Sequence, residues 1–432
     1  MKTLGIIAEY NPFHNGHLYH LQKAKKMTGA EFVIAIMSGN FLQRGEPAIF
    51  DKWTRALMAL KSGVDLVIEI PFVFSSQDAR AFANAGIKLL NSLGIVDFVT
   101  FGCEDGNISF LNEISELIAK EPLEFKKIIK EEVKKGNNFP TIREKALIQY
   151  YLENIDKLKL SSIEKLRKTL KQPNNILALE YLIALKNSKS NIEPFPIKRI
   201  GSNYSQKTLE GKYSSATAIR NKIFQSIRDN NHDILENLID FIPSSSYEII
   251  SDTLEKGINP ISISHFQQAI LSNLRRMPTD DIKGIHGVQE GLENRIKKAA
   301  ILSGNIEELI KKTKSKRYTH TRIQRILIHS LFNLKHQEIS AFNKIGPIYC
   351  RVLGMTNNGK FLLKKIKKKS ELPIIIKLKN TFKKNSNHTN IIEKNMLDYD
   401  IMSTNLYVLG YTKEPFAIGA QDYTKNVIIV DY

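Results

Sequence analysis

Short apolar runs alternate with longer amphipathic stretches at the start of the chain, and this alternation limits the possible folds more than any other feature. The apolar runs predict strands at residues 3–8, 32–37, 66–70 and 98–101, with helices at 18–27, 52–62 and 77–93 between them. A βαβ series of this kind is typical of a parallel sheet covered by helices. We therefore expect an α/β fold with a Rossmann-like parallel sheet, whose ligand lies in a crevice at the carboxyl ends of the strands.

The predicted secondary structure of the remaining chain changes twice, and these changes predict three structural units. Residues 108–190 look largely helical, and strand character resumes at 195–200 before a turn-rich segment. After a second helical stretch, strand-like runs return at 374–376, 406–409 and 427–430. The predicted units are a ligand-binding α/β domain at 1–225, a helical domain at 226–342 and a small C-terminal α/β domain at 343–432.

Composition narrows the class of protein. The chain has 432 residues, 42% of them hydrophobic, which is enough for a large buried core. Its two cysteines, Cys103 and Cys350, lie far apart and form neither a disulfide framework nor a metal-ligand pattern. No apolar stretch approaches the roughly 18 residues that a membrane span requires. We expect a cytoplasmic protein with no membrane partner.

The charge balance indicates a polyanionic partner. Lys and Arg number 63 against 44 Asp and Glu, a formal net charge of +19 with a pI near 9.5. A lysine-rich proteome would raise the count evenly along the chain, whereas here the basic residues cluster. The clusters are Lys311, Lys312, Lys314, Lys316, Arg317, Arg322 and Arg325, then Lys364, Lys365, Lys367, Lys368 and Lys369. Nucleic acid is the first candidate partner, with contact expected in the helical domain.

The segment NPFHNGH at 11–17 lies between the first predicted strand and the first predicted helix. It matches the His-x-Gly-His signature of the nucleotidylyltransferase superfamily. Free N–H groups and the helix dipole make such a turn an anion site suited to ATP phosphates. His14 and His17 are the predicted catalytic residues, because both can donate hydrogen bonds to the α-phosphate as charge develops. Gly16 permits close approach of the nucleotide. The alternative is two ordinary histidines in a surface turn.

A second motif, SSATAIR at 214–220, resembles the SSTxIR element that completes ATP sites in the same superfamily. Ser215 and Thr217 at a helix start could bind phosphate oxygens, and Arg220 offers a fork of donors. A plain N-capped helix would show the same pattern, so the motif gains weight from the histidines upstream.

Longer segments resemble the tRNA(Met) cytidine acetate ligase family over nearly the whole chain. They are GNFLQRGEPAIFDKWTRA from residue 39, PNNILALEY from 173, KRIGSNY from 198 and RYTHTRIQRILIH from 317. The resemblance implies a ligase that activates acetate with ATP as acetyl-adenylate and releases pyrophosphate. It further implies acetyl transfer to N4 of the wobble cytidine of elongator tRNA(Met), giving N4-acetylcytidine without acetyl-coenzyme A. The first domain would then be the nucleotidylyltransferase-like catalytic domain.

The resemblance also implies which residues contact ATP. They are Ile7, Ala8, Glu9, Tyr10, Asn11, Pro12, Phe13, His14, Asn15, Gly16, His17, Leu18, Tyr19 and His20, together with Gly102, Asn174 and Arg199. Without the family match, Gly102 could be a simple turn, Asn174 a helix cap and Arg199 a solvated charge. Whether Asn174 or Asn175 makes the contact stays open.

Other parts of the chemistry are less clearly marked. The loop at 38–44 is a candidate for placing the acid or the cytidine, although it could merely close the domain. Direct attack by the acid on the α-phosphate needs no covalent nucleophile, and Cys103 is interpreted as a packing residue. Mg²⁺ is expected with ATP, but no carboxylate cluster identifies protein ligands for it, so no metal site is assigned.

The predicted tRNA contact lies in the second domain, on Arg317, Tyr318, His320, Arg322 and Arg325. Tyr318 or His320 could stack on a base while the arginines meet phosphates. The alternative is a helix with a solvated basic face.

Two other functions fit parts of the sequence. An adenylyltransferase could move AMP from ATP to a small phosphorylated acceptor, but that reaction needs little beyond the first domain. A non-catalytic RNA-binding protein would be expected to have a broken His-x-Gly-His motif, and here the motif is intact. Oligomeric state and the basis of anticodon selection are not predicted.

Overall fold

The computed structural model describes residues 1–104, 108–136, 139–154, 163–200, 213–229, 236–378 and 391–431. Its strands are β1 Thr3–Ala8, β2 Phe32–Ser38, β3 Leu66–Ile70, β4 Phe98–Cys103, β5 Glu193–Lys198, β6 Cys350–Thr356, β7 Ile374–Ile375 and β8 Ile428–Val430. They form one sheet in the order β5-β4-β1-β2-β3-β6-β7, and β8 also pairs with β6. The first five strands pair in parallel, and β6 runs antiparallel to β3. The predicted parallel sheet is confirmed.

Apolar residues on both faces of the central strands explain why these segments pair in the interior. Every residue of β3 is buried, and β2 is buried at all but its first residue. Such continuous apolar runs are typical of parallel strands that helices cover on both sides. The register places Ala8 beside Met37 and Ser38 beside Ile70, so the three carboxyl ends lie at one edge of the sheet.

Helices occupy most of the remaining chain. They are α1 Asn15–Thr28, α2 Lys52–Lys61, α3 Phe72–Ser75, α4 Ala79–Ser92, α5 Ile108–Lys120, α6 Leu123–Lys134, α7 Phe139–Glu153, α8 Ile163–Lys171, α9 Pro173–Asn187, α10 Ala216–Arg228, α11 Ser244–Glu255, α12 Gln267–Arg276, α13 Thr279–Gly284, α14 Leu292–Ile301, α15 Ile306–Thr313, α16 His320–Leu331, α17 His336–Ile345, α18 Asn357–Lys369, α19 Ile391–Tyr407 and α20 Gln421–Thr424. Polar caps begin several of them: the Asp51 carboxylate accepts from Thr54 N at 2.7 Å, and that of Asp78 from Ala81 N at 3.0 Å. Each cap satisfies an N–H group that the first helical turn leaves without a partner.

The helical region after residue 260 packs directly on the sheet domain. One apolar cluster joins β2, β3 and α4 to residues of α12 to α17 and of α19. Within it, the Phe332 ring lies 4.1 Å from that of Phe72 and 5.1 Å from that of Phe41, measured between centroids. A second cluster covers the other face with residues of α1, α2, α10 and α11. The loops around the crevice are therefore held by both regions.

The C-terminal segment differs from its predicted arrangement. Strands β6, β7 and β8 extend the sheet of the first predicted domain rather than forming a sheet of their own. Residues 406–409, expected to be a strand, close α19 and enter a short 3₁₀ helix at Val408–Gly410. The division into three units stays a prediction. Among the described residues, no helix has the length and apolar character that crossing a membrane requires.

Candidate active site

The turn between β1 and α1 carries the His-x-Gly-His motif at the carboxyl edge of the sheet, as predicted. His14 caps α1: its Nδ1 accepts a hydrogen bond from Gly16 N at 3.0 Å. His17 reaches back, and its Nδ1 accepts from His14 N at 3.3 Å. The two imidazoles stack with centroids 3.8 Å apart. Since both Nδ1 atoms act as acceptors, we infer that both rings carry their proton on Nε2, where it can be donated to a ligand.

Burial keeps these histidines neutral. It lowers the pKa of His14 to about 3, with Arg199 and Arg220 adding to the effect. Burial also lowers the pKa of His17 well below its ordinary value, helped by His14 and Arg199. That of His20 falls to about 4 for the same reasons, and its Nε2 lies 3.0 Å from Thr100 Oγ1. At neutral pH the turn therefore offers neutral N–H donors, whose tautomer does not change with moderate changes of pH.

Arg55 fastens the loops that form the crevice. Its side chain is fully buried in α2, and its hydrogen bonds among the described residues all go to main-chain carbonyls. Nη1 contacts Glu9 O at 2.5 Å, Nε contacts Phe50 O at 3.0 Å, and Nη2 contacts Ser38 O at 3.0 Å and Gly39 O. One guanidinium thus joins the segments that leave β1 and β2. No role was predicted for Arg55, although a charged residue within the apolar stretch WTRALMAL of α2 indicates buried hydrogen-bond partners.

The predicted phosphate motif at 214–220 lies against this turn. Ser215 caps α10, where its Oγ accepts from Ala218 N at 3.1 Å. Arg220 donates from Nη1 to Asn11 O at 3.0 Å and from Nη2 to Thr217 Oγ1 at 3.4 Å. Nη2 also lies 3.5 Å from a carboxylate oxygen of Glu46. The Arg220 fork, predicted to be offered to phosphate, is thus directed at protein acceptors, so Arg220 holds the two motifs together.

Gly102 and Arg199 are adjacent at the ends of β4 and β5. Arg199 N donates to Cys103 O at 2.9 Å, and a Cβ added at Gly102 would come within 3.1 Å of Arg199 Cγ. The absence of a side chain at Gly102 therefore makes room for the arginine. Cys103 is buried, in agreement with a packing role. The residues GSNY of the KRIGSNY segment lie outside the described residues.

Glu104 organises the two asparagines at the start of α9. One carboxylate oxygen accepts from Asn174 Nδ2 at 2.7 Å, and the other from Asn175 N at 2.8 Å. Asn175 is buried, its Oδ1 accepting from Glu104 N at 2.9 Å and its Nδ2 donating to Gln172 Oε1 at 2.6 Å. Asn174 is only partly buried, and its side-chain oxygen accepts no hydrogen bond from the described residues. Glu104 was missed in the sequence, where nothing linked it to residues so far along the chain.

The loop at 38–44 faces the crevice as predicted. Gln43 N donates to Glu9 Oε1 at 3.0 Å, while Gln43 O accepts from Arg325 Nη1 at 3.4 Å. Burial raises the pKa of the Glu9 carboxyl, and Arg44 acts against that rise. The loop thus contacts both the crevice and helix α16, and its role in placing the acid or the cytidine stays a prediction.

A buried ionic network lies beneath the same loop. Lys52 Nζ lies 2.9 Å from Glu69 and 2.8 Å from Asp422, and all three side chains are almost completely buried. Arg351 on β6 contacts the same two carboxylates. Charges within apolar strands such as LVIEI and CRVLGMT are a sequence signal for such pairing. It attaches the C-terminal strands to the crevice edge of the sheet.

The five residues predicted to contact tRNA divide into two groups. Tyr318 is buried, with its hydroxyl donating to Gln289 O at 2.8 Å and Arg322 over its ring at 4.9 Å. The predicted base stacking by Tyr318 is therefore wrong for this conformation, because its ring is inside the fold. Arg325 is largely buried against the crevice loop, whereas His320 is exposed and Arg317 is partly exposed in an ion pair with Glu290.

The ranges that the structure describes contain no group of three or more His, Cys, Asp or Glu side chains placed to hold a metal ion. The carboxylates nearest the crevice, Glu9, Glu46 and Glu104, each accept from protein donors instead.

The family model and the related proteins match this chain over nearly its whole length. The family model for HIGH nucleotidyl transferases matches residues 1–422. A tRNA(Met) cytidine acetate ligase from Thermoanaerobacter sp. strain X514 is 46% identical over 418 residues, covering 96% of this chain and 97% of the relative. The enzyme of that name from Acetivibrio thermocellus is 40% identical over 431 residues, with full coverage of both chains.

Solved structures are similar as well. The crystal structure of apo Thermotoga maritima TmcAL superposes with a TM-score of 0.93 at 35% identity, covering 100% of each chain. The structure of the same protein bound with alpha-thio ATP gives a TM-score of 0.92, with the same identity and coverage.

Proposed function

The chain belongs to the tRNA(Met) cytidine acetate ligase family of HIGH nucleotidyl transferases, and from this premise we propose its reaction. It activates acetate with ATP as acetyl-adenylate, releasing pyrophosphate, and acetylates N4 of the wobble cytidine of elongator tRNA(Met). The observation that carries the ATP half of the proposal is the pair of stacked neutral histidines at the start of α1.

In the first step, an acetate oxygen attacks the α-phosphorus of ATP. The new P–O bond forms as the bond to the β-phosphate oxygen breaks, and pyrophosphate leaves. His14 and His17 donate from Nε2 to the α-phosphate oxygens, where negative charge increases in the transition state. The N-terminus of α1 adds its dipole and main-chain N–H groups.

In the second step, the N4 amine attacks the acyl carbon of the adenylate. The C–N bond forms, the acyl C–O bond breaks, AMP departs with the bonding electrons, and N4 loses a proton. The loop at 38–44 is the proposed position for the acid and the cytidine, because it lies between Glu9 in the crevice and Arg325 on α16.

We propose the nucleotide contacts by residue. The segment at 7–20 would meet the phosphates and ribose, with Ser215 and Thr217 near the terminal phosphates and Gly102 beside the adenosine. Arg199 would bring positive charge to the nucleotide. Asn174 is the preferred amide contact, since Asn175 is buried with both side-chain groups engaged. Mg²⁺ would be held mainly by ATP oxygens, supplying charge neutralisation there.

Helix α16 and the segment before it are the proposed tRNA contact. His320 and Arg317, with the exposed lysines 311, 312, 314 and 316, would meet the RNA, while Arg322 and Arg325 hold the surface in place. The cytoplasm is the proposed compartment, since ATP and tRNA are available there.

The test supplies ATP, Mg²⁺, radiolabelled acetate and an elongator tRNA(Met) transcript, then measures label in N4-acetylcytidine after digestion of the RNA. Label that requires ATP and disappears with His17→Ala supports the proposal. Acetate-dependent exchange of pyrophosphate into ATP without labelling of the RNA would support the proposed activation of acetate. It would refute the wobble cytidine as the acceptor. Transfer of AMP to a small phosphorylated compound instead would favour the adenylyltransferase alternative.

A further inference from the structure

A large groove lies along α4, outside the proposed ATP site. Its volume is about 1120 Å³, and it runs between the carboxyl end of α9 and the carboxyl end of α17. Helix α4 has 14 residues, so the groove floor is about 20 Å long at about 1.5 Å per residue. Nothing in the proposed chemistry uses this space.

Side-chain amides and hydroxyls line much of the groove. The amides of Gln77 and Asn343 exchange two hydrogen bonds of 2.9 Å, which bridge the turn before α4 and helix α17. Across the groove, Asn91 Nδ2 donates to Ser188 Oγ at 3.1 Å, while the amide of Asn84 is exposed. Amides and hydroxyls of this kind can donate hydrogen bonds to phosphate oxygens, and they can both donate to and accept from ribose hydroxyls.

The charge of the groove is positive. Its lining includes Arg80, Lys88, Lys189 and Lys344 against only two carboxylates, those of Asp78 and Glu371. Arg80, Lys189 and Lys344 are exposed, and none of them forms an ion pair within the ranges that the structure describes. Exposed cations without a carboxylate partner, spread along a groove of this length, suit a chain of phosphates.

The groove adjoins helix α16, which borders the crevice. His286 is one of the residues that line the groove. His329 on α16 contacts it: Nδ1 lies 3.2 Å from His286 O, and the two ring centroids are 5.2 Å apart, about one helical turn from Arg325. Arg325 in turn contacts Gln43 of the crevice loop. Helix α16 therefore contacts both the groove lining and the crevice loop.

We propose that the α4 groove binds the tRNA backbone next to the nucleotide whose base enters the crevice. The cations contact phosphates, and the amides contact phosphates or ribose 2′-hydroxyls, so binding here depends on RNA shape and charge. This rests on the proposed function and extends the RNA surface from α16 along α4.

The experiment compares two triple charge reversals on the full-length protein. The test variant carries Arg80→Glu, Lys189→Glu and Lys344→Glu. The control variant carries Lys26→Glu, Lys127→Glu and Lys130→Glu, which are exposed residues on α1 and α6 with the same total change of charge. Affinity for an elongator tRNA(Met) transcript is measured by filter binding from low to moderate salt, and urea unfolding checks that both variants are folded.

We expect the test variant to bind tRNA at least about tenfold more weakly than the control variant. The slope of log Kd against log salt should fall by about two to three, because each lost phosphate contact removes a little under one released counterion. Acetate-dependent pyrophosphate exchange, which needs no tRNA, is measured in the same samples to report on the ATP site.

Equal affinities in the two variants, with exchange still running in both, would overturn the groove proposal and leave the proposed function intact. If tRNA binding weakened equally in both variants, the loss would be a general effect of net charge, and the groove proposal would be overturned as well. Failure of the unmodified protein to bind or acetylate the tRNA would instead refute the proposed function, and the groove proposal with it.

Discussion

Replacing Arg55 by methionine tests whether one buried guanidinium holds the crevice loops in place. The side chain is fully buried and makes four hydrogen bonds to carbonyls of Glu9, Ser38, Gly39 and Phe50. Methionine has a similar length and fills most of the space, but it donates nothing. The substitution therefore removes the hydrogen bonds while limiting any cavity.

The magnitude follows from these four bonds. A hydrogen bond from a charged donor contributes about 1.5–3 kcal/mol, and a buried carbonyl left without a partner costs about 1–3 kcal/mol. Against this, removal of Arg55 relieves the desolvation of a buried charge, which amounts to several kcal/mol. We expect a net loss of about 3–5 kcal/mol in the free energy of unfolding, because four hydrogen bonds from a charged donor, at about 1.5–3 kcal/mol each, outweigh the relieved desolvation of several kcal/mol.

Urea unfolding measures the stability, and acetate-dependent pyrophosphate exchange measures the effect on the site. Displacement of the crevice loops by about 1 Å should lower exchange by about a hundredfold at saturating ATP. Arg228→Met is the matched control, since the Arg228 side chain is 75% exposed and its loss should change stability by less than about 0.5 kcal/mol. A loss below about 1 kcal/mol for Arg55→Met, together with normal exchange, would refute the role assigned to Arg55.

Further expectations concern the histidines, the asparagines, pH and the basic segment. His14→Ala or His17→Ala should lower pyrophosphate exchange by about two orders of magnitude or more; near-normal exchange in either variant would remove that residue from the catalytic step. Asn174→Ala should raise the KM for ATP with little loss of stability, whereas Asn175→Ala should lower the urea midpoint because its buried contacts to Glu104 and Gln172 are lost; the reverse pattern would assign the ATP contact to Asn175. Burial lowers the pKa of His20 to about 4, so the unfolded chain binds a proton there between about pH 4 and 6.5 that the folded chain does not, and the free energy of unfolding falls as pH falls through this window. His20→Gln should reduce that slope by up to about 1.4 kcal/mol per pH unit in urea titrations, and an unchanged slope would contradict the burial effect. Lys314→Glu with Lys316→Glu should weaken tRNA binding and its salt dependence in gel-shift titrations; unchanged binding would exclude this segment from the RNA surface.

Local patterns predicted much of the sheet domain correctly. The strand at 3–8 and the strand at 66–70 agree with β1 and β3 residue for residue, because apolar runs between turn residues are a property of the segment itself. The His-x-Gly-His turn could be recognised for the same reason, since its residues are contiguous and lie between a strand and a helix.

Predictions failed where distant residues decide the structure. Strand β6 was not predicted, because Arg351 and Gly354 interrupt its apolar pattern, and its burial depends on Glu69 and Asp422 from elsewhere in the chain. Residues 406–409 are apolar enough for a strand but continue the preceding helix. Tyr318 was expected to face RNA, and packing beneath Arg322 places it inside.

The order of the first strands and helices, the positions of the His-x-Gly-His and SSATAIR motifs and the excess of positive charge could all be read from the sequence, because they depend on neighbouring residues or on composition. Folding was needed to show that the Nδ1 atoms of His14 and His17 are occupied, that Arg55 joins the crevice loops, and that Glu104 fixes Asn174 and Asn175. These features arise from hydrogen bonds and buried charges between segments that meet only when the chain folds. The free energy of such contacts depends on burial and geometry, which no local pattern contains.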